Sequence, residues 1–348
     1  MSPLPRNLAT RALLALPALA YGGAVRLRNR FYDFESAVQG AGIPVLSVGN
    51  ITVGGTGKTP IVAWLARTLR DQGRTPAVVS RGYRGSAGKG PLLVSRGERP
   101  LAGPEICGDE PFLLARHLEG VLVVVGSDRV EGARFARRSG ADVAVLDDGF
   151  QHRRLARDLD IVLLDAHNPF GNYGLLPAGT LREPLAGLAR ADVVLITRSR
   201  PGESLVVIER VVRRHHPSVP ILRAGNRRVG FRDPGGVPVS TPRRALAFCG
   251  VGNPASFAAD LEAEGLEIVD LRIFPDHHPY SEADAASLIR DALGRAATLV
   301  TTEKDLVRFP YRAAPGVPAL AALRIEAEIH DRDELMHRIR AALEGPHS

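Results

Sequence analysis

Two cysteines, Cys107 and Cys249, are all that the 348-residue chain contains. A disulfide framework and a cysteine-based zinc site are thereby excluded. Aromatic residues are scarce, 5% with one tryptophan. No stacking motif or nucleic-acid-binding signature is legible among them, so no nucleic-acid partner is expected in spite of the basic charge. Lysine is nearly absent. Of 45 basic residues only Lys58, Lys89 and Lys304 are lysine, the others arginine. Where arginine has replaced almost every lysine, one that remains points to a role arginine cannot mimic. The apolar runs near the N-terminus are short. The uncharged stretch Ala12–Val25 has fourteen residues; as a helix it reaches about 21 Å, less than a hydrocarbon core of ~30 Å, so a membrane-spanning helix is not expected. No internal repeat and no obligate protein partner are evident.

What is present suits a globular protein of about two domains: 45% hydrophobic and 24% charged residues. The 45 basic residues outweigh 38 acidic ones, a balance that favours anionic partners such as acidic lipid or phosphorylated substrates. Around the N-terminal uncharged run, Arg6 and Arg11 precede it and Arg26, Arg28 and Arg30 follow. Three readings stand open from this segment alone. It is a signal peptide with Ala18-Leu19-Ala20 as cleavage site, a helix lying in the membrane interface with arginines on anionic headgroups, or a helix buried against the domain. From about residue 43 to 200, short β-rich runs (Ile43–Val48, Pro76–Ser80, Val121–Val125, Val143–Leu146, Ile161–Leu164, Val193–Ile196) alternate with helical patterns (Thr59–Gln72, Pro111–Leu118, Arg129–Ser139, Glu203–His215). This alternation predicts an α/β fold with a mostly parallel sheet covered on both faces. Residues 218–244 are rich in Gly, Pro and Arg and read as a linker or small hairpin. A second α/β unit follows. The expected division is therefore an N-terminal segment 1–30, a core domain 31–217, the linker 218–244 and a C-terminal domain 245–348.

The sharpest motif is Ser47-Val48-Gly49-Asn50-Ile51-Thr52-Val53-Gly54-Gly55-Thr56-Gly57-Lys58-Thr59-Pro60. It lies between a predicted strand and a predicted helix, the context that a phosphate-binding loop requires. Glycines let backbone N–H groups curl around phosphate oxygens, and the helix N-terminus adds its dipole. Lys58 reaches the β- and γ-phosphates in such a loop, and Thr59 ligates Mg²⁺. The general pattern would place glycine at position 52, where this chain has threonine; the doubled Gly54-Gly55 supplies flexibility instead. A second motif, Val143-Ala144-Val145-Leu146-Asp147-Asp148-Gly149-Phe150-Gln151-His152, is an apolar strand ending in acids. Such carboxylates accompany phosphate loops and hold Mg²⁺ or its water, and a cation relieves their mutual repulsion.

These two motifs, with Leu-Leu-Pro-Ala-Gly-Thr-Leu-Arg-Glu-Pro (Leu175–Pro184), closely resemble the tetraacyldisaccharide 4'-kinases, the lipid A 4'-kinase family of Gram-negative bacteria. Ser80–Gly85, Gly108–Pro111, Ser127–Arg129, Phe274–His278 and Thr301–Asp305 match in the same order. The resemblance implies a P-loop core and a smaller C-terminal α/β domain joined by a two-stranded linker. It implies ATP-dependent phosphorylation of the 4'-hydroxyl of a tetraacylated glucosamine disaccharide 1-phosphate, giving lipid IVA, at the cytoplasmic face of the inner membrane. Carried over by position, Thr52, Val53, Gly54, Gly55, Thr56, Gly57, Lys58 and Thr59 bind ATP. Thr59, Asp147, Asp148 and Glu183 fall to Mg²⁺ and phosphate chemistry. Asp109 and His277 match a catalytic pair, with His278 the alternative to His277. Arg129, His152 and Arg182 match positions near the disaccharide phosphate. Without the resemblance, Asp109 reads as a helix N-cap. Tyr83, with Arg81 and Arg84, either grips substrate or lies on the surface of a Gly-rich loop. Lys304 has no assigned role.

Two further classes compete. A P-loop GTPase or partition-type ATPase switch would show a similar loop but needs no acyl-chain site. A nucleic-acid-binding protein would match the charge but lacks a recognisable fold.

Overall fold

The computed structural model describes residues 14–82, 85, 86, 88 and 90–345. Tyr83, Arg84 and the first thirteen residues therefore lie outside the described residues. The elements in chain order are α1 Ala15–Phe31, β1 Val45–Asn50, α2 Lys58–Asp71, β2 Pro76–Ser80, β3 Leu92–Arg96, α3 Asp109–His117, β4 Leu122–Val125, α4 Arg129–Arg138, β5 Val143–Asp147, β6 Leu159–Asp165, β7 Val193–Thr197, α5 Val206–His215, β8 Ile221–Arg232, β9 Pro238–Val239, β10 Arg244–Cys249, α6 Pro254–Ala263, β11 Glu267–Ile273, α7 Glu282–Gly294, β12 Thr298–Thr302, β13 Leu320–Ile329 and α8 Arg332–Glu344. Single helical turns lie at Pro104–Cys107 and Glu303–Leu306.

Two compact units divide the chain: residues up to 226 with those from 327 onward, and Arg227–Glu326. In the larger unit the strand order is β8-β7-β6-β1-β5-β2-β4-β3. All neighbours are parallel except β3, which runs antiparallel to β4. Successive side chains point to opposite faces. Leu46, Val48, Val78, Val123 and Val145 pack with α2 residues Ile61, Leu65 and Leu69 on one face. Val45, Ala77, Val79, Val124 and Ala144 pack with Val130, Ala133 and Ala136 of α4 on the other. This double burial is why the strands read as continuous apolar runs. β1 is flanked by β5 and β6, so its C-terminal end opens where the chain's course through the sheet reverses, the place where open α/β sheets bind ligands. The phosphate loop follows there.

The smaller unit has the parallel order β11-β10-β12-β13, and β9 returns against the end of β8 through the turn at Asp233–Gly236. The sequence division is corrected at its last boundary. The closing helix α8 does not belong to the C-terminal unit: Leu335, Met336, Ile339 and Leu343 bury in the larger unit's core. The linker pieces Ile221–Arg223 and Arg228–Phe231 are parts of one twelve-residue strand, β8.

α1 packs on the domain by one face only. Its inward stripe is narrow and small, Ala18, Gly22 and Val25. Leu16, Leu19, Leu27 and Phe31, with Phe34 just beyond, stand exposed, each more than half accessible. A Cβ on Gly22 would meet Leu175 Cδ1 at 2.7 Å, so glycine allows the close approach. No helix among the described residues is long and apolar enough to cross a membrane.

Candidate active site

The phosphate loop is braced from several sides. Asn50, the last residue of β1 and fully buried, donates from Nδ2 to Thr52 O at 2.8 Å and to Thr56 Oγ1 at 3.0 Å. Its Oδ1 accepts from Lys58 Nζ at 3.3 Å. Val53 N donates to Thr180 O at 2.8 Å. Thr197 Oγ1, at the end of β7, donates to Thr56 O at 2.9 Å. Gly54 and Gly57 take φ values of 119° and 76°, the left-handed region that favours glycine. Gly57 is the cap of α2, which places Lys58 and Thr59 in the first turn of that helix.

At the end of β5 the two acids part company. Asp147 is buried, and Ser80 Oγ donates to its Oδ2 at 3.0 Å. Burial, then Glu110 and Asp148, push its carboxyl up to about 6. Its Oδ1 is buried with no hydrogen-bond partner among the described residues. Asp148 adopts a left-handed φ of 59°. Its carboxylate faces Lys58 Nζ at 3.5 Å and Arg182 Nη1 at 2.7 Å. Burial raises its affinity for a proton, but Lys58 and Arg182 outweigh this and hold it below the usual carboxylate range.

Glu183 is fully buried and both its oxygens accept hydrogen bonds: from Gln151 Nε2 at 2.8 Å and from Arg190 Nη2 at 2.7 Å. Gln151 Nε2 also donates to Asn50 O at 2.8 Å. The Arg190 guanidinium stacks 4.5 Å over the Phe150 ring. Glu183 thus supports the loop through Gln151.

Arg129 and His152 line a cavity of about 370 Å³ together with Arg28, Tyr32, Arg153 and Arg154. Burial, then Arg129, lower His152 to about 4, so the ring is neutral at pH 7. The Nε atoms of Arg129 and Arg182 are buried without a hydrogen-bond partner among the described residues, a donor set that an anion would satisfy. α1 is tied to this region at two points. Tyr21 OH donates to Arg182 O at 2.7 Å. Arg153 donates from Nη1 to Asn29 O and from Nη2 to Tyr32 O at 3.2 Å and to Asp33 Oδ1 at 2.8 Å.

Asp109 is the first residue of α3; the cap is Gly108, with φ 89°, and no side chain caps the helix. The N-cap reading is therefore corrected, because the chain needs a left-handed residue at the cap and glycine takes it. In the smaller unit, His277 has φ 60° and its Nε2 lies 3.2 Å from Lys304 Nζ, which gives Lys304 a partner. His278 stacks on Phe274 and its Nε2 lies 3.1 Å from Asp284, the acid of the α7 capping box.

Sequence reasoning passed over Asn50, Gln151, Arg190, Thr197 and Arg198. Asn50 and Gln151 sit inside quoted motifs; the others carried no motif signal.

A parallel sheet, a braced phosphate loop at its reversal point and a carboxylate held by the loop lysine define a P-loop nucleotide-binding protein. The tetraacyldisaccharide-1-P 4'-kinase family matches residues 10–344. A tetraacyldisaccharide 4'-kinase of Syntrophus aciditrophicus is 42% identical over 94% of this chain and 91% of its own length. One of Anaeromyxobacter sp. (strain K) is 41% identical over 98% and 93%. The crystal structure of LpxK from Aquifex aeolicus in complex with ATP superposes with a TM-score of 0.77 at 30% identity, covering 96% of this chain and 99% of that one. The chain belongs to the tetraacyldisaccharide 4'-kinase family. Its activity is ATP-dependent 4'-phosphorylation in lipid A biosynthesis, and the nucleotide-switch alternative is not favoured.

Proposed function

We propose that ATP is held by Thr52–Thr59 and that transfer of its γ-phosphoryl group to the sugar hydroxyl takes place beside Lys58 and Asp148. The observation that carries this is the Lys58 Nζ, 3.3 Å from Asn50 and 3.5 Å from Asp148 at the mouth of the loop. Phosphoryl transfer asks a protein for positioning and charge neutralisation, and this lysine is fixed where it supplies both. The residues present fit a Mg²⁺ ion: Thr59, Asp147 and Asp148 would hold it, and the orphaned, proton-seeking Asp147 Oδ1 supports the fit. When bound, the ion would neutralise charge on the transferring phosphoryl group. Mg²⁺ commonly takes one or two carboxylates, with water and phosphate completing its shell. Glu183 acts behind these groups through Gln151. Arg129, His152 and Arg182 receive the disaccharide phosphate, supported by the unpartnered Nε donors. Asp109 serves the acceptor hydroxyl; the role of His277 rests on the resemblance alone.

Purified protein with ATP-Mg²⁺ and tetraacyldisaccharide 1-phosphate yields a lipid heavier by one phosphate, read by mass spectrometry. ATP turnover without that product would return the chain to the nucleotide-switch class.

The protein works peripherally on the cytoplasmic face of the inner membrane, with α1 in the interface. Leu16, Leu19, Leu27, Phe31 and Phe34 supply the apolar face and Arg26, Arg28 and Arg30 the contact with anionic headgroups. Each large apolar side chain contributes about 1.5–3 kcal/mol when buried. Replacing Leu16, Leu19 and Leu27 by serine lowers partitioning onto phosphatidylglycerol vesicles by at least about tenfold, measured by co-sedimentation, with the melting temperature unchanged because these side chains are exposed. Undiminished binding would remove α1 from the interface.

A further inference from the structure

We propose that Arg198 is a nucleotide-positioning residue, the latch that keeps the phosphate loop's N–H groups turned toward the ligand; this rests on reading residues 52–59 as the ATP site. In a planar peptide the N–H and C=O point in opposite directions. A loop can present its N–H groups to phosphate only while its carbonyls are held elsewhere. Four carbonyls between Asn50 and Thr56 are held by side chains. Gln151 takes Asn50 O at 2.8 Å, Asn50 takes Thr52 O at 2.8 Å, Thr197 takes Thr56 O at 2.9 Å, and Arg198 Nη2 takes Gly55 O at 2.6 Å. Arg198 is the one charged donor of the four. It acts on the stretch with least conformational constraint of its own, between the left-handed Gly54 and Gly57.

The arginine is itself anchored. Its Nη1 donates to Asp165 Oδ2 at 2.6 Å, so the planar fork bridges the end of β6 and the loop. Its backbone has φ 56°, a region that L-residues rarely adopt and that persists where surrounding bonds over-determine it. Glycine would suit that backbone better; only the side chain explains an arginine there. A loop ordered before ATP arrives loses less entropy on binding. Such ordering matters in a chain whose loop has two adjacent glycines and threonine at position 52.

The discriminating variant is Arg198→Gly, which keeps the left-handed turn and removes the latch. Calorimetric Kd for ADP and the KM for ATP both rise by about 10–100-fold, the worth of one hydrogen bond to a charged group. KM for the lipid stays close to its starting value and kcat at saturating ATP falls far less than KM rises. Arg198→Lys recovers only part of the loss, because one ammonium cannot hold both Asp165 and Gly55 O. Asp165→Asn, which loosens the anchor, shifts ADP affinity in the same direction by a smaller factor and carries the test should the glycine variant fold poorly. A residue needed only for the turn would leave nucleotide affinity unchanged in Arg198→Gly and raise the melting temperature; that result overturns the latch. Lys58→Ala runs alongside. If it too keeps full turnover, the ATP reading of the loop has failed; if it alone is impaired, only the latch has failed.

Discussion

Replacing Lys58 with alanine lowers kcat by roughly 10²–10³-fold, the range for removing one preorganised charge-stabilising donor. The fold survives. Lys58 lies at the loop mouth and not in a hydrophobic cluster, and Asp148 keeps its 2.7 Å bond to Arg182 when the lysine is gone. Lys58→Arg is also poor. An ammonium is a compact point charge on a flexible stem, whereas a guanidinium presents a rigid planar fork. The space between Asn50 Oδ1 at 3.3 Å and Asp148 Oδ1 at 3.5 Å is set for the former. Single-turnover kinetics with a melting curve on the same preparation separate lost chemistry from lost folding. Near-normal turnover in either variant would contradict the assignment of the loop.

Asp109→Ala lowers kcat by roughly 10²–10⁴-fold, the range for a general base. ATP affinity changes little if the carboxylate serves the hydroxyl acceptor, as proposed. A melting curve on the same preparation separates this loss from one of stability. Asp109 is not the cap of α3, that place being Gly108, and an acid in a first helical turn is worth about 0.3–1 kcal/mol through the helix dipole. Asp109→Asn keeps size and polarity but cannot take a proton, so it falls with the alanine variant. Steady-state kcat under saturating lipid and nucleotide Kd for both variants make the comparison. Full kcat in Asp109→Asn would leave the residue a structural place only.

Much of this site was readable before the fold because phosphate-loop chemistry is local in sequence. Gly54, Gly57, Lys58 and Thr59 lie within one turn of chain, and Asp147 and Asp148 end an apolar strand. The core strands were readable for a related reason: buried on both faces, they leave uninterrupted apolar runs. β13 was not, since Leu-Ala-Ala-Leu-Arg-Ile-Glu-Ala-Glu-Ile lacks the β-branched density that marks a strand. β3 is a short antiparallel edge strand between turns and left no periodic signal. The supports of the site were hidden by distance. Arg198 meets Gly55 across 143 positions and Gln151 meets Asn50 across 101. In a chain whose basic residues are nearly all arginine, no single arginine stands out by type. Glu183 illustrates the limit from the other side. Its position in the motif pointed to metal, while its contacts are with Gln151 and Arg190.

The bonds from Tyr21 to Arg182 and from Arg153 to Asn29 and Tyr32 make α1 part of the larger unit and not a detachable tail. With α1 in the membrane interface, as proposed, the enzyme would meet its lipid by lateral diffusion in two dimensions. Its saturation is then governed by the mole fraction of tetraacyldisaccharide in the surrounding leaflet and not by the amount per volume of solution. Inert phospholipid would then be a diluent of substrate, and the composition of the host membrane would enter the rate law directly.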